Sequence, residues 1–276
     1  MSWKLAAIVS VLVLLVGCVS SNQKASEKRY VITSPEIAEI VCLLEGAENI
    51  VGITAECNFP EYLQQKEIVG NFGKVNFEKI IELNPTVVFT AGLEQNSLAA
   101  ELNKLDYHAE RIHSKSVEEM LDSILKIGKI IDCEKRSIFV VDSLKSELQN
   151  IQNYSYKPRV FMEIYGDPIM SASDSSFVGQ LVALAGGKNI FEQLPRDYCR
   201  IDPELVIKAN PEIIILTYPG ISADDVKNRK GWEVISAVQN DRIYSIDEVD
   251  PDLILRASPR IILGIKELQK VFHEAK

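Results

Sequence analysis

Two segments of the chain, residues 74–90 and 200–217, share one pattern, and this internal repeat constrains the fold most strongly. In each copy, a polar residue suited to capping a helix is followed two residues later by a glutamate, Glu78 or Glu204. Each copy then passes through an Asn-Pro pair into an apolar run, as expected where a short helix ends before a buried strand. Because a repeat sets the architecture of a chain, the sequence predicts two similar α/β lobes that face each other across a cleft.

The N-terminal segment has the features of a secretory signal. Lys4 precedes an uncharged, mostly apolar run over residues 5–17, whose length suits a signal peptide better than a membrane-spanning helix. The run ends in Leu-Val-Gly before Cys18, which resembles the bacterial lipoprotein processing site. We predict a lipoprotein signal peptide at residues 1–18, lipidation of Cys18, and a flexible polar tether at residues 19–28. An uncleaved single-pass anchor, or a cleaved signal in which Cys18 has no role, are the alternatives.

These predictions place the mature protein outside the cytoplasm, in the periplasm or at the outer face of the cell membrane. About 250 residues follow the signal, which is enough for two lobes with cores of their own. The net charge is −9 and no run of Lys or Arg offers a basic surface, which argues against a nucleic-acid partner.

The mature chain contains four cysteines, and their pairing stays open. Cys42, Cys57, Cys133 and Cys199 permit three complete pairings in an oxidising compartment, and the sequence does not choose among them. Their spacing is not clustered, so a structural zinc site is not expected.

Strand-like and helix-like segments alternate along the chain, which predicts a mainly parallel sheet in each lobe. Residues 134–153 contain neither Gly nor Pro and have apolar residues at helical spacing, so they predict one long helix that bridges the lobes. We therefore assign residues 29–133 to an N-terminal lobe, residues 134–156 to the backbone helix, and residues 157–276 to a C-terminal lobe. The predicted fold class is α/β, with two mainly parallel lobes and a ligand cleft between them.

Besides both repeats, several short stretches resemble class III solute-binding proteins of ABC importers, in the group that binds cobalamin, ferric siderophores or haem. The stretches are residues 34–46, 69–73, 167–173, 184–191 and 256–263. The last of these is nearly the C-terminal signature of the cobalamin-binding branch. The resemblance implies a monomeric transport receptor that is not an enzyme. It also implies partners, namely an ABC permease dimer with cytoplasmic ATPase subunits.

The repeat glutamates have two interpretations. A glutamate in the first turn of a capped helix favours the helix dipole, and this alone would explain Glu78 and Glu204. The resemblance implies a second role, in which one glutamate on each lobe docks onto arginines of the permease. A pair of charges on two lobes would also orient the encounter between the proteins.

Ligand-binding residues are expected in the loops at the carboxyl ends of the strands, where α/β sheets usually hold ligands. Aromatic side chains recur in these loops and suit the faces of a large ligand, while a few polar groups would orient it. The predicted ligand-binding residues are Asn58, Phe59, Phe72, Tyr165, Tyr198, Arg200, Tyr218 and Asp252.

The resemblance implies a metal-containing macrocycle or chelate as the ligand, with no intrinsic cofactor and no resident metal. Cobalamin or a related corrinoid is the first choice, although Phe72 and Leu253 stand where tryptophan is common in that branch. A ferric siderophore or haem is the alternative, since a tyrosine of the cleft could ligate iron.

Catalytic motifs are absent from the sequence: it has no Gly-x-Ser-x-Gly elbow, Walker loop or dinucleotide glycine motif. His108, His113 and His273 lie far apart, which argues against a site for zinc or manganese built from several histidines. The alternative of another class is an extracellular enzyme or redox protein that uses Cys57 and Cys199 across the cleft. It requires the two sulfurs to come close enough to pair.

Overall fold

The computed structural model describes residues 28–71, 73–92 and 96–273. The predicted signal peptide with Cys18, the tether up to residue 27, and Phe72 lie outside these residues. Within the described part of the chain, no helix is both long enough and apolar enough to span a bilayer.

The N-terminal lobe is built on a parallel sheet with strand order β3-β2-β1-β6-β7 in the described part of the chain, and a short antiparallel hairpin, β4-β5, lies beside it. The strands are β1 (Tyr30–Ile32), β2 (Ile50–Ile53), β3 (Glu67–Ile68), β4 (Gly70–Asn71), β5 (Lys74–Val75), β6 (Val87–Thr90) and β7 (Ala109–Arg111). The helices are α1 (Pro35–Leu43), α2 (Phe77–Glu82), α3 (Asn96–Lys104) and α4 (Val117–Ile130).

The next helix, α5 (Glu134–Gln149), runs from the N-terminal to the C-terminal lobe. It was predicted to continue to Asn153, but Asn150 ends it by donating its side-chain amide to the Ser146 carbonyl at 2.9 Å. Its 16 residues therefore span about 24 Å, whereas a helix over residues 134–153 would span about 30 Å. The helix packs closely on α4. The contact is so tight at Gly128 that a Cβ added there would lie 2.3 Å from Ser137 Oγ. The domain boundaries at residues 133–134 and 156–157 stay a prediction.

The C-terminal lobe has a parallel sheet with strand order β11-β8-β13-β14, and an antiparallel sheet with order β12-β10-β9, in the described residues. The strands are β8 (Arg159–Glu163), β9 (Tyr165–Gly166), β10 (Ile169–Ala172), β11 (Lys188–Asn189), β12 (Tyr198–Arg200), β13 (Ile213–Leu216) and β14 (Ile243–Tyr244). The helices are α6 (Phe177–Leu184), α7 (Pro203–Ala209), α8 (Ala223–Lys227), α9 (Ser236–Gln239), α10 (Pro251–Leu255) and α11 (Ile261–His273).

The internal repeat predicted from the sequence has the same structure in both lobes. The two copies form α2 followed by β6, and α7 followed by β13. Asn84 and Asn210 end the two helices with left-handed φ values of 45° and 48°. In each lobe the strand that follows pairs in parallel with the first strand of that lobe, β1 or β8. The prediction of two similar α/β lobes is confirmed.

Both parallel sheets are covered on their two faces. Tyr30, Ile32 and Phe89 belong to a core cluster on one face of the N-terminal sheet, whereas Val31 and Val88 belong to another on the opposite face. The C-terminal sheet alternates in the same way between the first cluster and a third one. Burial on both faces explains why the central strands are continuous apolar runs. The first cluster includes residues of both lobes and of α5, so it holds the lobes together.

Candidate functional site

The candidate site lies between the lobes, at the carboxyl ends of the parallel strands. The loop after β2 carries Asn58 and Phe59, and Tyr165 begins β9, which follows β8 closely in the chain. Tyr218 follows β13, and Asp252 lies in the first turn of α10. The sheet topology therefore brings residues from distant parts of the sequence to one cleft.

Three predicted ligand-binding residues meet across the gap between the lobes. Asn58 accepts a hydrogen bond from Arg256 Nη1 at 2.8 Å, and its amide donates to Asp252 Oδ2 at 3.3 Å. Arg256 Nη2 lies 2.7 Å from the same Asp252 oxygen. The guanidinium of Arg260 covers the ring of Phe59, 4.2 Å from its centre. Asn58, Phe59 and Asp252 thus form one polar and aromatic wall, held by two arginines.

A second group surrounds Tyr218. The carboxylate of Glu163, which is fully buried, accepts two hydrogen bonds of 2.6 Å from Arg229 and one of 2.5 Å from the Tyr218 hydroxyl. Arg229 also lies over the Trp232 ring at 4.6 Å. Burial, and then the hydrogen bond to Glu163, raise the pKa of Tyr218 well above its ordinary value. Tyr218 therefore stays a neutral phenol, and its proton is directed at Glu163 rather than at a ligand.

The small antiparallel sheet presents a row of side chains on one face. Met170 on β10 is the register partner of Tyr165 on β9 and of Arg200 on β12. Directly opposed residues of antiparallel strands share a face, so Tyr165, Met170 and Arg200 form a row. The opposite face carries Cys199, which packs against the C-terminal core. The row contains the phenol of Tyr165, which is 51% exposed, the thioether of Met170 and the guanidinium of Arg200.

Tyr198 lies on the same face of β12 as Arg200, two residues away. Its side chain is 41% exposed, and burial of the hydroxyl, followed by the charge of Asp197, raises its pKa to about 12. Asp197 accepts a hydrogen bond from Ser175 Oγ at 3.0 Å and lies 3.5 Å from Lys115 Nζ of the other lobe. Tyr198 therefore lies beside a second contact between the lobes.

Several residues of the candidate site were not predicted from the sequence. Met170 was not predicted, because its place beside Tyr165 and Arg200 depends on the register of β9, β10 and β12. Glu163 and Arg229 were also missed, because 66 residues separate them and only the fold brings them together.

The repeat glutamates lie in equivalent positions on the two lobes. Asn76 caps α2 by accepting a hydrogen bond from the Lys79 amide at 3.0 Å, and Asp202 caps α7 by accepting one from the Glu204 amide at 3.0 Å. Both Glu78 and Glu204 are exposed in the first turn of their helices. Their position fits the helix dipole, and it also leaves both carboxylates accessible to a partner.

The described cysteines are all free. Cys57 is buried in the N-terminal lobe, 3.6 Å from Thr54 Oγ1, and burial raises the pKa of its thiol to about 11. Cys199 packs against the core of the C-terminal lobe. The structure therefore does not bring Cys57 and Cys199 together as the redox alternative requires.

Two further features bear on ligand binding. Among the described residues, no group of three or more His, Cys, Asp or Glu side chains is placed to hold a metal ion. A cavity of about 750 Å³ lies between α4, α5 and α6, and none of the predicted ligand-binding residues lines it. The predicted ligand-binding residues therefore lie apart from this cavity.

Comparison with known proteins identifies the fold and the general role. Residues 31–258 match the family described as periplasmic binding protein. The chain belongs to this family. It is 30% identical over 264 residues to the uncharacterised ABC transporter substrate-binding lipoprotein YvrC of Bacillus subtilis, covering 90% of this chain and 82% of that one. It is 25% identical over 261 residues to the high-affinity haem uptake protein IsdE of Staphylococcus aureus, covering 89% of each.

Solved structures agree with this assignment. A protein from Staphylococcus epidermidis, described as a possible iron-binding, periplasmic solute-binding protein, superposes with a TM-score of 0.77 at 27% identity, covering 89% of this chain and 98% of that one. The vitamin B12-binding protein BtuF of Vibrio cholerae shares the fold, with a TM-score of 0.68 at 20% identity, over 89% of this chain and 96% of that one. The predicted class III architecture, with two α/β lobes and a cleft, is confirmed. Proteins of this group are extracytoplasmic substrate-binding components of ABC importers.

The pKa of Tyr218 generates a prediction about alkaline stability. A tyrosine whose pKa is raised by folding contributes stability below the unfolded pKa of about 10, and this contribution is lost as the pH rises. Between about pH 10 and pH 11 the wild type should therefore lose stability through Tyr218, because the tyrosine ionises in the unfolded chain but not in the folded one. The Tyr218→Phe variant should be less stable at pH 8 but should decline less between pH 8 and pH 11. Urea unfolding at each pH measures this, and parallel declines in both proteins would contradict it.

Proposed function

We propose that this protein captures haem, or failing that a ferric siderophore, outside the cell membrane and delivers it to an ABC permease. The observation that carries the ligand class is the row of Tyr165, Met170 and Arg200 beside the cleft. Phenolate and thioether groups both coordinate haem iron in proteins. A guanidinium suits the carboxylates that haem and many iron chelates carry. The relationship to a haem uptake protein over 89% of the chain supports the same class.

This proposal changes the first choice made from the sequence. The stretch at residues 256–263 favoured cobalamin, whereas the sequence relationships support the alternative better, since one relative is named for haem uptake. The likeness to the vitamin B12-binding protein, at 20% identity, concerns the fold alone. Cobalamin, the first choice from the sequence, now ranks after haem and a ferric siderophore.

We propose that the predicted ligand-binding residues line two walls of the cleft. Asn58, Phe59 and Asp252 would line one wall, and Phe72 stays a predicted ligand-binding residue outside the described part of the chain. Tyr165, Tyr198 and Arg200 would line the other, with Tyr218 closing it. We expect the receptor to act as a monomer with one ligand.

Ligand binding is tested by absorbance titration of the purified protein with haemin, a ferric hydroxamate and cyanocobalamin. We expect micromolar or tighter binding of haemin, with a shifted Soret band. The Tyr165→Phe and Arg200→Gln variants should each bind at least about tenfold more weakly, which corresponds to about 1.4 kcal/mol. Tyr156→Phe serves as the control, because Tyr156 is an exposed tyrosine that bonds to Glu212 outside the cleft. Tighter binding of cyanocobalamin than of haemin, or binding of none of the three, would contradict the proposal.

Docking on the permease is proposed for Glu78 and Glu204. Each Glu→Gln variant should retain its ligand affinity but slow transport by a reconstituted importer, and Glu→Arg should slow it more through like-charge repulsion. Both effects should diminish as salt screens the charges. Glu82→Gln is a matched control, since Glu82 is an exposed glutamate at the other end of α2. Wild-type transport by the Glu78→Arg/Glu204→Arg double variant would exclude docking through these residues.

A lipid anchor at Cys18 is proposed from the sequence, and the relative YvrC is itself named a lipoprotein. The Cys18→Ala variant should lose its membrane association and the mass of the lipid, whereas Cys199→Ala should keep both. Cell fractionation and mass spectrometry of the mature protein measure the two properties. A Cys18→Ala protein with unchanged mass and fractionation would show that the anchor lies elsewhere.

A further inference from the structure

A buried ion cluster joins the two lobes at one edge of the cleft. Its centre is Glu39 in α1, whose side chain is only 2% exposed. The Glu39 carboxylate accepts hydrogen bonds from Arg260 Nε at 2.8 Å and Nη2 at 2.7 Å, and from Arg256 Nη1 at 3.1 Å. Glu39 belongs to the N-terminal lobe and both arginines to the C-terminal lobe.

Arg256 extends the cluster into the wall of the cleft. Besides Glu39, it donates to the Asn58 side chain at 2.8 Å and to the Glu56 carbonyl at 3.3 Å, both in the N-terminal lobe. Within its own lobe it pairs with Asp252 at 2.7 Å. The two arginines are thus balanced by two carboxylates, and Arg256 and Arg260 are only 10% and 16% exposed. Such a cluster is held by mutual pairing, because separating the lobes would leave charges without partners.

Among the residues that the structure describes, one more ion pair links the lobes, and it is weaker. Lys115 Nζ and Asp197 Oδ2 are 3.5 Å apart, and their side chains are 55% and 30% exposed. Exposed pairs of this kind contribute little, because water and salt screen them. The strand order places the two links at opposite sides of the cleft. The cluster lies beside β1 and β2, whereas Lys115 follows β7 at the far edge of the same sheet. Three strand spacings, or about 14 Å, separate β2 from β7.

We propose that Glu39, Arg256 and Arg260 form a clasp that fixes the separation of the lobes while the cleft is empty. At the opposite edge the lobes are joined by the exposed Lys115–Asp197 pair and by one hydrogen bond of 3.1 Å from the Val117 amide to Gln180 Oε1, so we expect them to move apart mainly there. Because Arg256 contacts both Asn58 and Asp252, closing the clasp also positions these side chains from opposite lobes before any ligand arrives. The clasp concerns the protein without ligand, so the test of the clasp does not depend on which ligand the protein binds.

The test compares two isosteric substitutions, Glu39→Gln and Glu163→Gln. Both glutamates are buried and both receive paired hydrogen bonds from one arginine, but Glu39 bonds across the lobes and Glu163 within one lobe. Spin labels are attached through non-natural residues at two exposed positions, Lys104 in the N-terminal lobe and Lys230 in the C-terminal lobe. Distances between the labels are then measured by pulsed electron paramagnetic resonance without ligand.

We expect Glu39→Gln to give a longer and broader distance distribution than the wild type, and Glu163→Gln to leave the distribution unchanged. Hydrogen exchange should become faster in residues 56–58 and in α10 of Glu39→Gln only. Lys115→Gln, at the other edge, should change the mean distance less than Glu39→Gln does. Adding Arg260→Gln to Glu39→Gln should produce little further change, because the two substitutions break the same link.

Unchanged distances and exchange in folded Glu39→Gln would overturn the proposal. So would equal changes in Glu39→Gln and Glu163→Gln, since these would reflect lost stability rather than a clasp. If Glu39→Gln does not fold, Arg260→Lys provides the same test, because it keeps the charge but loses the paired hydrogen bonds. A wild-type distance distribution in Arg260→Lys would then refute the clasp.

Discussion

One apolar core runs through both lobes and sets their relative position. Tyr30 and Ile32 contribute to it from the first sheet, Val160 and Met162 from the second, and Leu144 from the connecting helix. Burying one such side chain is worth about 1.5–3 kcal/mol, so the lobes gain more from this shared packing than from any polar contact between them. The carboxyl ends of the parallel strands consequently face a common gap, and the loops that follow them become its walls.

Apolar packing does not by itself fix the orientation of polar side chains. Two buried carboxylates fix that orientation here. Glu163 fixes Arg229 and the hydroxyl of Tyr218 within the C-terminal lobe. Glu39 fixes Arg256 and Arg260 across the lobes. Each carboxylate is buried with its charge paired, and removing one partner from such a pair costs about 3–5 kcal/mol. The walls of the cleft are therefore positioned by groups that do not themselves line it.

The sequence predicts those parts of the molecule that depend on local pattern. The repeat is defined by helix caps, by Asn84 and Asn210, and by the apolar runs that follow. Each of these sequence signals lies within a stretch of about ten residues. The polar network of the cleft depends on contacts between residues such as Glu39 and Arg260, which are 221 positions apart. No local pattern indicates such a pair. Met170 was missed for a related reason, because its neighbours are set by strand register, which is decided by tertiary packing.

The two tyrosines nearest to Glu163 show how these contacts bear on ligand chemistry. Their rings are 5.8 Å apart, yet their hydroxyls have different environments. Ionising Tyr218 would place a second negative charge against the Glu163 carboxylate, with Arg229 as the compensating cation. Among the described residues, no carboxylate is hydrogen-bonded to Tyr165, which is half exposed beside Met170 and Arg200. The iron-containing ligand proposed above is therefore expected to contact the hydroxyl of Tyr165 rather than that of Tyr218.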